Sequence, residues 1–246
     1  MVTTEELIQA KALLGHPKNF SNPKTRASRG GISGNSVTFD PATVIAQLEK
    51  GQEMIQEAIK NNHDILVLCE KEIYKEEIEA LSTKVWFHYM NHKIPAGVLT
   101  NFDTLLIRIK SLQDMRSYLT SESYKSLTKK EQSMKKRELS KIEMVYKGVS
   151  DLRKKPGLVI IVDGQMMHKF VKEVLSTQTP AIILSSSNFD IHTSVHLVMG
   201  NVNSQRSIDL IMQTLMKGAH ISKETAKPSS WTKPVVATRI KKETNK

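Results

Sequence analysis

A single cysteine, Cys69, in 246 residues excludes an internal disulfide and points to a reducing compartment. It follows the apolar run Ile65–Leu68 and is expected as a small buried hydrophobe. Aromatic residues make up only 5%, so the core must be mostly aliphatic. No run approaches the roughly 18 apolar residues of a membrane span, so no membrane partnership through a spanning segment is expected. The first ten residues carry Glu5 and Glu6, and no arginine precedes Arg26. That pattern is neither a secretory leader nor an ordinary transit peptide. Acidic charge is short as well: 25 Asp and Glu face 36 Lys and Arg, a net +11. A balance this basic favours a polyanionic partner, a nucleic acid or an anionic membrane surface.

The excess is not spread evenly. Residues 11–30 carry +5 without one acid, residues 105–155 carry +8, and residues 223–246 carry +5. Residues 31–104 carry −5, and residues 156–222 are balanced. A near-neutral body with basic projections suits a protein wedged into folded RNA. An enzyme for an acidic substrate would more often focus its charge in one cleft.

Periodicity supplies the elements. Thr3 or Thr4, followed by Glu5-Glu6, caps a short helix to about Leu14. Residues 15–36 are rich in Gly, Pro, Ser and Asn and read as an ordered loop or a flexible arm. Asp40-Pro41 starts a helix carrying Val44, Ile45, Leu48, Ile55 and Ile59 on one face. Ile65–Cys69, Val85–Phe87, Leu158–Val162, Ala181–Leu184 and Val195–Val198 read as strands. Glu72–Leu81, Met166–Ser176 and Ser204–Met216 read as helices. Two more, 102–118 and 129–149, are joined by a Ser/Thr-rich turn and form an antiparallel hairpin. Strands alternating with helices predict an α/β sandwich with a mostly parallel sheet. The boundaries follow: 1–36, a helix and basic loop; 37–101 and 150–222, the core; 102–149, the hairpin; 223–246, a basic tail.

No constellation of residues demands chemistry. The run Arg29-Gly30-Gly31 to Gly34 lacks the strand before it and the Lys-Ser/Thr after it that a nucleotide loop needs. His88 and His92 have the i, i+4 spacing of zinc helices, but no Glu follows His88 and Pro95 ends any helix soon after. Ser185-Ser186-Ser187 lies at a strand end, where α/β enzymes place active residues, yet loop capping is the reading to prefer. Trp86 is expected in the core. Trp231, in the basic tail, could stack on a base or fill a protein groove. Thr100 and Asn101 are natural N-caps, and a helix start is also a phosphate site.

Several linked motifs run in a fixed order. They are Gly15-His16 with Asn22-Pro23-Lys24; Asn91-His92 with Gly97, Leu99-Thr100-Asn101-Phe102 and Thr104; and Leu127 to Glu131 with Arg137-Glu138-Leu139. Asp163 with His168, Lys172 and Glu173 follows, then Pro180, Asn188, Asp190, Gly200-Asn201 and Arg206. Over about residues 5–220 the chain resembles the bacterial-type small-subunit ribosomal protein two family. It departs at Ile94-Pro95-Ala96, Ser186-Ser187-Asn188, Asp190-Ile191-His192 and Met199, where the family has an aromatic-Leu-Gly run, Asp-Thr-Asn, Asp-Pro-Asp and Pro.

The resemblance implies a flavodoxin-like or Rossmann-like α/β core with the inserted hairpin, and a structural rather than enzymatic role. It implies a small-subunit protein near the head–body junction, bound to ribosomal RNA and neighbouring ribosomal proteins, and not a homo-oligomer. No catalytic residue, metal or cofactor is expected. The residues expected on RNA are Lys18, Lys24, Arg26, Arg29, Thr100, Asn101, Arg108, Lys129, Lys130, Lys135, Lys136 and Arg137. The remodelled motifs and the basic tail favour a mitochondrial ribosome; the missing transit peptide points instead to a bacterial cytoplasm or an organelle-encoded gene. Two rivals remain: an enzyme binding a nucleotide or sugar phosphate near Asp163 and Ser186, and a scaffold using the hairpin as a coiled-coil surface.

Overall fold

Every residue of the strands β4 (Ile65–Leu68), β6 (Leu158–Val162) and β7 (Ala181–Ser185) is buried. Continuous apolar runs of this kind belong to a sheet covered on both faces. In this computed structural model, which describes residues 2–190 and 195–225, they form the centre of a five-stranded sheet. β5 (His88–Met90) and β8 (His196–Met199) are its edges, in the order β5-β4-β6-β7-β8, and every pairing is parallel. Counted within the sheet, that order is the flavodoxin-like 2-1-3-4-5.

Alternate residues supply two cores, because side chains on a strand point to opposite faces. Ile65, Val67, Leu158, Ile160, Val162, Ile182 and Leu184 face one layer of helices. That layer is α2 (Pro41–Lys60), α3 (Lys75–Val85) and α8 (Gln205–Thr225), packed through Leu48, Ile55, Ile78, Ile211 and Leu215. Leu66, Leu68, Val159, Ile161 and Ile183 face the other layer. Its helices are α4 (Phe102–Thr120) and α7 (His168–Thr177), meeting the sheet through Leu105, Ile109, Phe170 and Val174. Truncating one such fully buried residue, Ile160 for example, removes about 2–5 kcal/mol of stability.

Local signals set the helix starts. Thr3 and Glu6 make a reciprocal capping box on α1 (Thr4–Gln9). Asp40 caps α2 through the Thr43 N–H at 2.9 Å, with Pro41 in the first turn as expected. The hairpin pairs α4 with α6 (Lys129–Tyr146), and the short α5 (Glu122–Lys125) fills the turn. Thr128 and Glu131 form a second capping box there. Arg116 Nε meets Glu143 Oε1 at 2.8 Å across the pair. At the base, the 3-10 turn Lys147–Val149 packs on β5 so closely that a Cβ at Gly148 would run into the Tyr89 carbonyl.

Several expectations are corrected. Residues 15–36 are not one loop. β1 (Leu14–Pro17), β2 (Arg29–Ser33) and β3 (Ser36–Phe39) make an antiparallel sheet in the order β1-β3-β2. Gly34, at φ +60, turns β2 into β3, and Val37 and Phe39 alternate into the core. α1 stops at Gln9 rather than near Leu14, because Lys11 takes a left-handed φ of 55°. The strand expected at Val85–Phe87 begins at His88, since Val85 closes α3 and Trp86 caps it at φ 43°. Trp86 is half-buried rather than fully in the core. α8 runs to Thr225, past the expected Met216.

Candidate nucleic-acid interface

The N-terminal sheet is fastened to the carboxyl ends of β7 and β8. Ser187, fully buried, is the anchor. Its hydroxyl accepts the His16 N–H at 2.8 Å and meets Ser21 Oγ at 2.9 Å. Its carbonyl accepts the Asn22 N–H at 2.7 Å. Gly15 is needed here, because a Cβ would press on Ser187 Oγ. His16 Nδ1 lies 3.0 Å from Ser186 Oγ. On its other side Asn203 donates to Nε2 at 3.4 Å, while Asn203 Oδ1 accepts from Lys71. That fixes the amide's orientation and puts the imidazole proton on Nδ1. Burial holds the His16 pKa below its ordinary value.

From this platform the basic loop faces outward. Lys18 and Arg26 are exposed, and neither side chain has a partner among the described residues. Lys24 is exposed and meets Asp190 at 2.6 Å. Arg29 turns inward instead. Its Nη2 donates to the Asn22 carbonyl at 2.6 Å and to Thr25 Oγ1 at 2.8 Å, so it braces the 3-10 turn Pro23–Ser28.

In this strand order the ligand position of an α/β fold lies outside the carboxyl ends of β4 and β6, where the order reverses. Lys71 follows β4 and Asp163 follows β6, and they meet there at 2.7 Å with side chains only 13% and 10% exposed. Asp163 takes φ 70°, and its other oxygen accepts the Met166 N–H at 3.1 Å. Lys71 also donates to Asn203 at 3.0 Å. The position is thus filled by protein groups.

The base of the hairpin is held by Glu173 of α7. Its two carboxylate oxygens accept the N–H groups of Gly97, at 2.7 Å, and Leu99, at 3.0 Å. Gly97 has φ +89°, which a side chain would strain. The anion-accepting backbone at this turn is therefore already occupied by an internal carboxylate. Asn101 does stand at the cap of α4, but its side chain accepts from the Thr104 hydroxyl at 2.8 Å rather than from a backbone N–H. Thr100, Asn101 and Arg108 are all exposed.

Further out, α6 has no buried residue. Lys129, Lys130, Lys136 and Arg137 are exposed without an ion pair among the described residues. Lys135 is paired with Glu138 at 3.0 Å, which raises its pKa. A shallow groove of about 460 Å³ runs along this end, lined by Tyr118, Leu127, Met134, Lys135, Arg137 and Lys141 among others.

Three groups escape a residue-by-residue reading of the sequence. Arg153, Lys154 and Lys155 are consecutive exposed cations between the hairpin and β6; their run in the sequence is a sufficient signal. Phe20 is 73% exposed in the basic loop, and nothing in a Gly/Pro/Ser/Asn-rich stretch announces that. The Lys71–Asp163 pair joins residues 92 apart and has no local signature. Among the described residues no group of three or more His, Cys, Asp or Glu could hold a metal ion. None of their helices is long and apolar enough to cross a membrane. The tail beyond Thr225, with Trp231, and the residues Ile191 and His192 lie outside the described residues.

The chain is similar to known proteins. The chain is 29% identical over 220 residues to a small ribosomal subunit protein uS2 of Corynebacterium diphtheriae, covering 87% of this chain and 81% of that one. It is 30% identical over 214 residues to the uS2 of Amoebophilus asiaticus, covering 87% and 68%. It is 28% identical over 220 residues to that of Protochlamydia amoebophila, covering 88% and 79%. A model of the family described as Ribosomal protein S2 matches residues 7–222. The chain belongs to the ribosomal protein S2 family.

Proposed function

We propose that this protein is a structural component of the small ribosomal subunit, bound to ribosomal RNA and to neighbouring ribosomal proteins near the head–body junction. The observation that carries the RNA contact is the charge on α6, where Lys129, Lys130, Lys136 and Arg137 stand exposed and unpaired among the described residues on a helix with no fully buried residue. Phosphates would neutralise these cations and give the helix a covering surface. Lys18, Lys24 and Arg26 would make a second set of contacts from the N-terminal loop. Thr100, Asn101 and Arg108 would contact RNA along the start of α4. Arg29 would act by holding the loop in shape, and Lys135 would contribute after exchanging Glu138 for phosphate. Contacts made through phosphates carry no base sequence, so this recognition would be of RNA shape.

The rival reading, a nucleotide or sugar phosphate at the strand ends, meets the Lys71–Asp163 pair and the N-terminal sheet where its ligand would lie. The relatives named above are bacterial, which supports the bacterial-type family. The mitochondrial reading rests on the remodelled segments at Ile94-Pro95-Ala96 and Ser186-Ser187-Asn188, and fractionating the cells that make the protein decides it.

The test is equilibrium binding of the full chain to in vitro transcribed small-subunit RNA across a salt series. The logarithm of affinity should fall linearly with the logarithm of salt concentration, with a slope set by the number of phosphates neutralised. Salt-independent association would contradict the reading.

A further inference from the structure

Phe20 is 73% exposed, the most exposed of the large apolar side chains among the described residues. Isolated surface hydrophobics are ordinary, but this one is held out by rigid backbone. It ends the 3-10 turn Lys18–Phe20, whose first N–H donates to the Asn35 carbonyl at 3.0 Å. The next residue, Ser21, donates its hydroxyl to the Pro17 carbonyl at 3.1 Å and meets Ser187 Oγ at 2.9 Å. Asn22 is fixed to the Ser187 carbonyl at 2.7 Å. With both flanks tied to the core, the ring is presented outward.

Its surroundings in the chain choose the occupant. Residues 11–30 hold five cations and no acid. Lys18 stands two residues before the ring, and Arg26 stands six after it, both exposed and unpaired among the described residues. An exposed aromatic ring on a cationic loop matches a nucleotide, whose base stacks while its phosphate is neutralised. A hydrophobic groove of a protein would leave the two cations without a counterpart.

We propose that Phe20 is a stacking platform for one unpaired nucleobase of the RNA, with Lys18 and Arg26 on the adjoining phosphates. The proposal rests on the RNA-binding function above and deepens it. It adds to the shape-reading hairpin a contact that requires an unstacked base, such as a bulge or loop. Because the platform is pre-ordered, little is lost in ordering it on binding.

The experiment compares full-length Phe20→Ala, Phe20→Leu and Phe20→Trp chains with the native chain on in vitro transcribed small-subunit RNA. Phe20→Ala should weaken binding by about 5- to 150-fold, the range for one base–aromatic stack, with the native salt slope because no charge is removed. Phe20→Leu should stay weak, since it keeps bulk without a π-face. Phe20→Trp should bind as well as or better than the native chain. Its indole emission, after subtraction of the native chain's, should be quenched in the complex. Lys18→Gln with Arg26→Gln should instead lower the salt slope. Native affinity in Phe20→Ala, full rescue by Phe20→Leu, or unquenched indole in a complex that forms would each overturn the stacking while leaving RNA binding intact. Absence of RNA binding by the native chain would remove both claims together.

Discussion

Lys71 and Asp163 meet at 2.7 Å at the one place in the sheet where the strand order reverses. The same architecture elsewhere keeps that place open for a ligand. Here a nearly buried ion pair closes it, supported by Asn203 and the Met166 N–H. Removing one partner strands a charge of the other, so Asp163→Asn or Lys71→Met should each lose about 3–5 kcal/mol in urea unfolding. The double variant should lose less than the sum of the two. Nucleotides and sugar phosphates should leave the native chain's melting temperature unchanged; a dose-dependent rise would revive the enzymatic reading.

Glu173 joins α7 to the turn that launches the hairpin. Glu173→Ala would leave the N–H groups of Gly97 and Leu99 without their acceptors, at about 1–3 kcal/mol for each left unsatisfied. Amide hydrogen exchange should accelerate at Gly97 and Leu99 first. Unchanged protection at those two amides would show that the carboxylate does not hold the turn.

The hairpin cations separate binding from stability. Changing Lys129, Lys130, Lys136 and Arg137 to Gln should reduce the salt slope of RNA binding by about 0.7–0.9 for each phosphate no longer neutralised. Surface changes of this kind alter stability by at most about 0.5 kcal/mol each. A native slope in the quadruple variant would place the RNA elsewhere on the surface, with Arg153, Lys154 and Lys155 the next to test.

Two histidines contribute to the pH dependence of stability. Burial depresses the pKa of His196, which lies 2.7 Å from the Gln47 carbonyl, and that of His16. In each case the unfolded chain takes up the proton more readily than the folded one. Stability conferred by the neutral ring is therefore complete above the unfolded value near 6.5 and is lost as pH falls below it. Melting temperature should drop from pH 7.5 to 5.5, and the drop should be smaller in His196→Gln. The Cys69 thiol is pushed by burial up to about 11, so it should resist alkylation until the chain unfolds.

The strands β4, β6 and β7, the helices α2 and α7 and the two-helix hairpin are legible in the sequence because each has a sustained apolar period and nearby caps. Asp40-Pro41 behaves as its sequence signal says. The N-terminal sheet is hidden, because its strands are short and lie in a stretch rich in Gly, Pro, Ser and Asn. Its two short signals, Gly34-Asn35 at a tight turn and the alternating Val37 and Phe39, are outweighed by loop composition. The cations of the hairpin can be read from charge alone. Which cations remain free cannot, since the partners of Arg29 and Lys24 depend on how the chain folds back. Glu173 and Gly97 are 76 residues apart, and their hydrogen bond exists only in the tertiary structure.

The most direct test of the central claim is sedimentation of the protein from cells that express it. It should travel with the small ribosomal subunit in a sucrose gradient and be released by ribonuclease or by high salt. Recovery only as free protein, with no RNA in the fraction, would contradict the account.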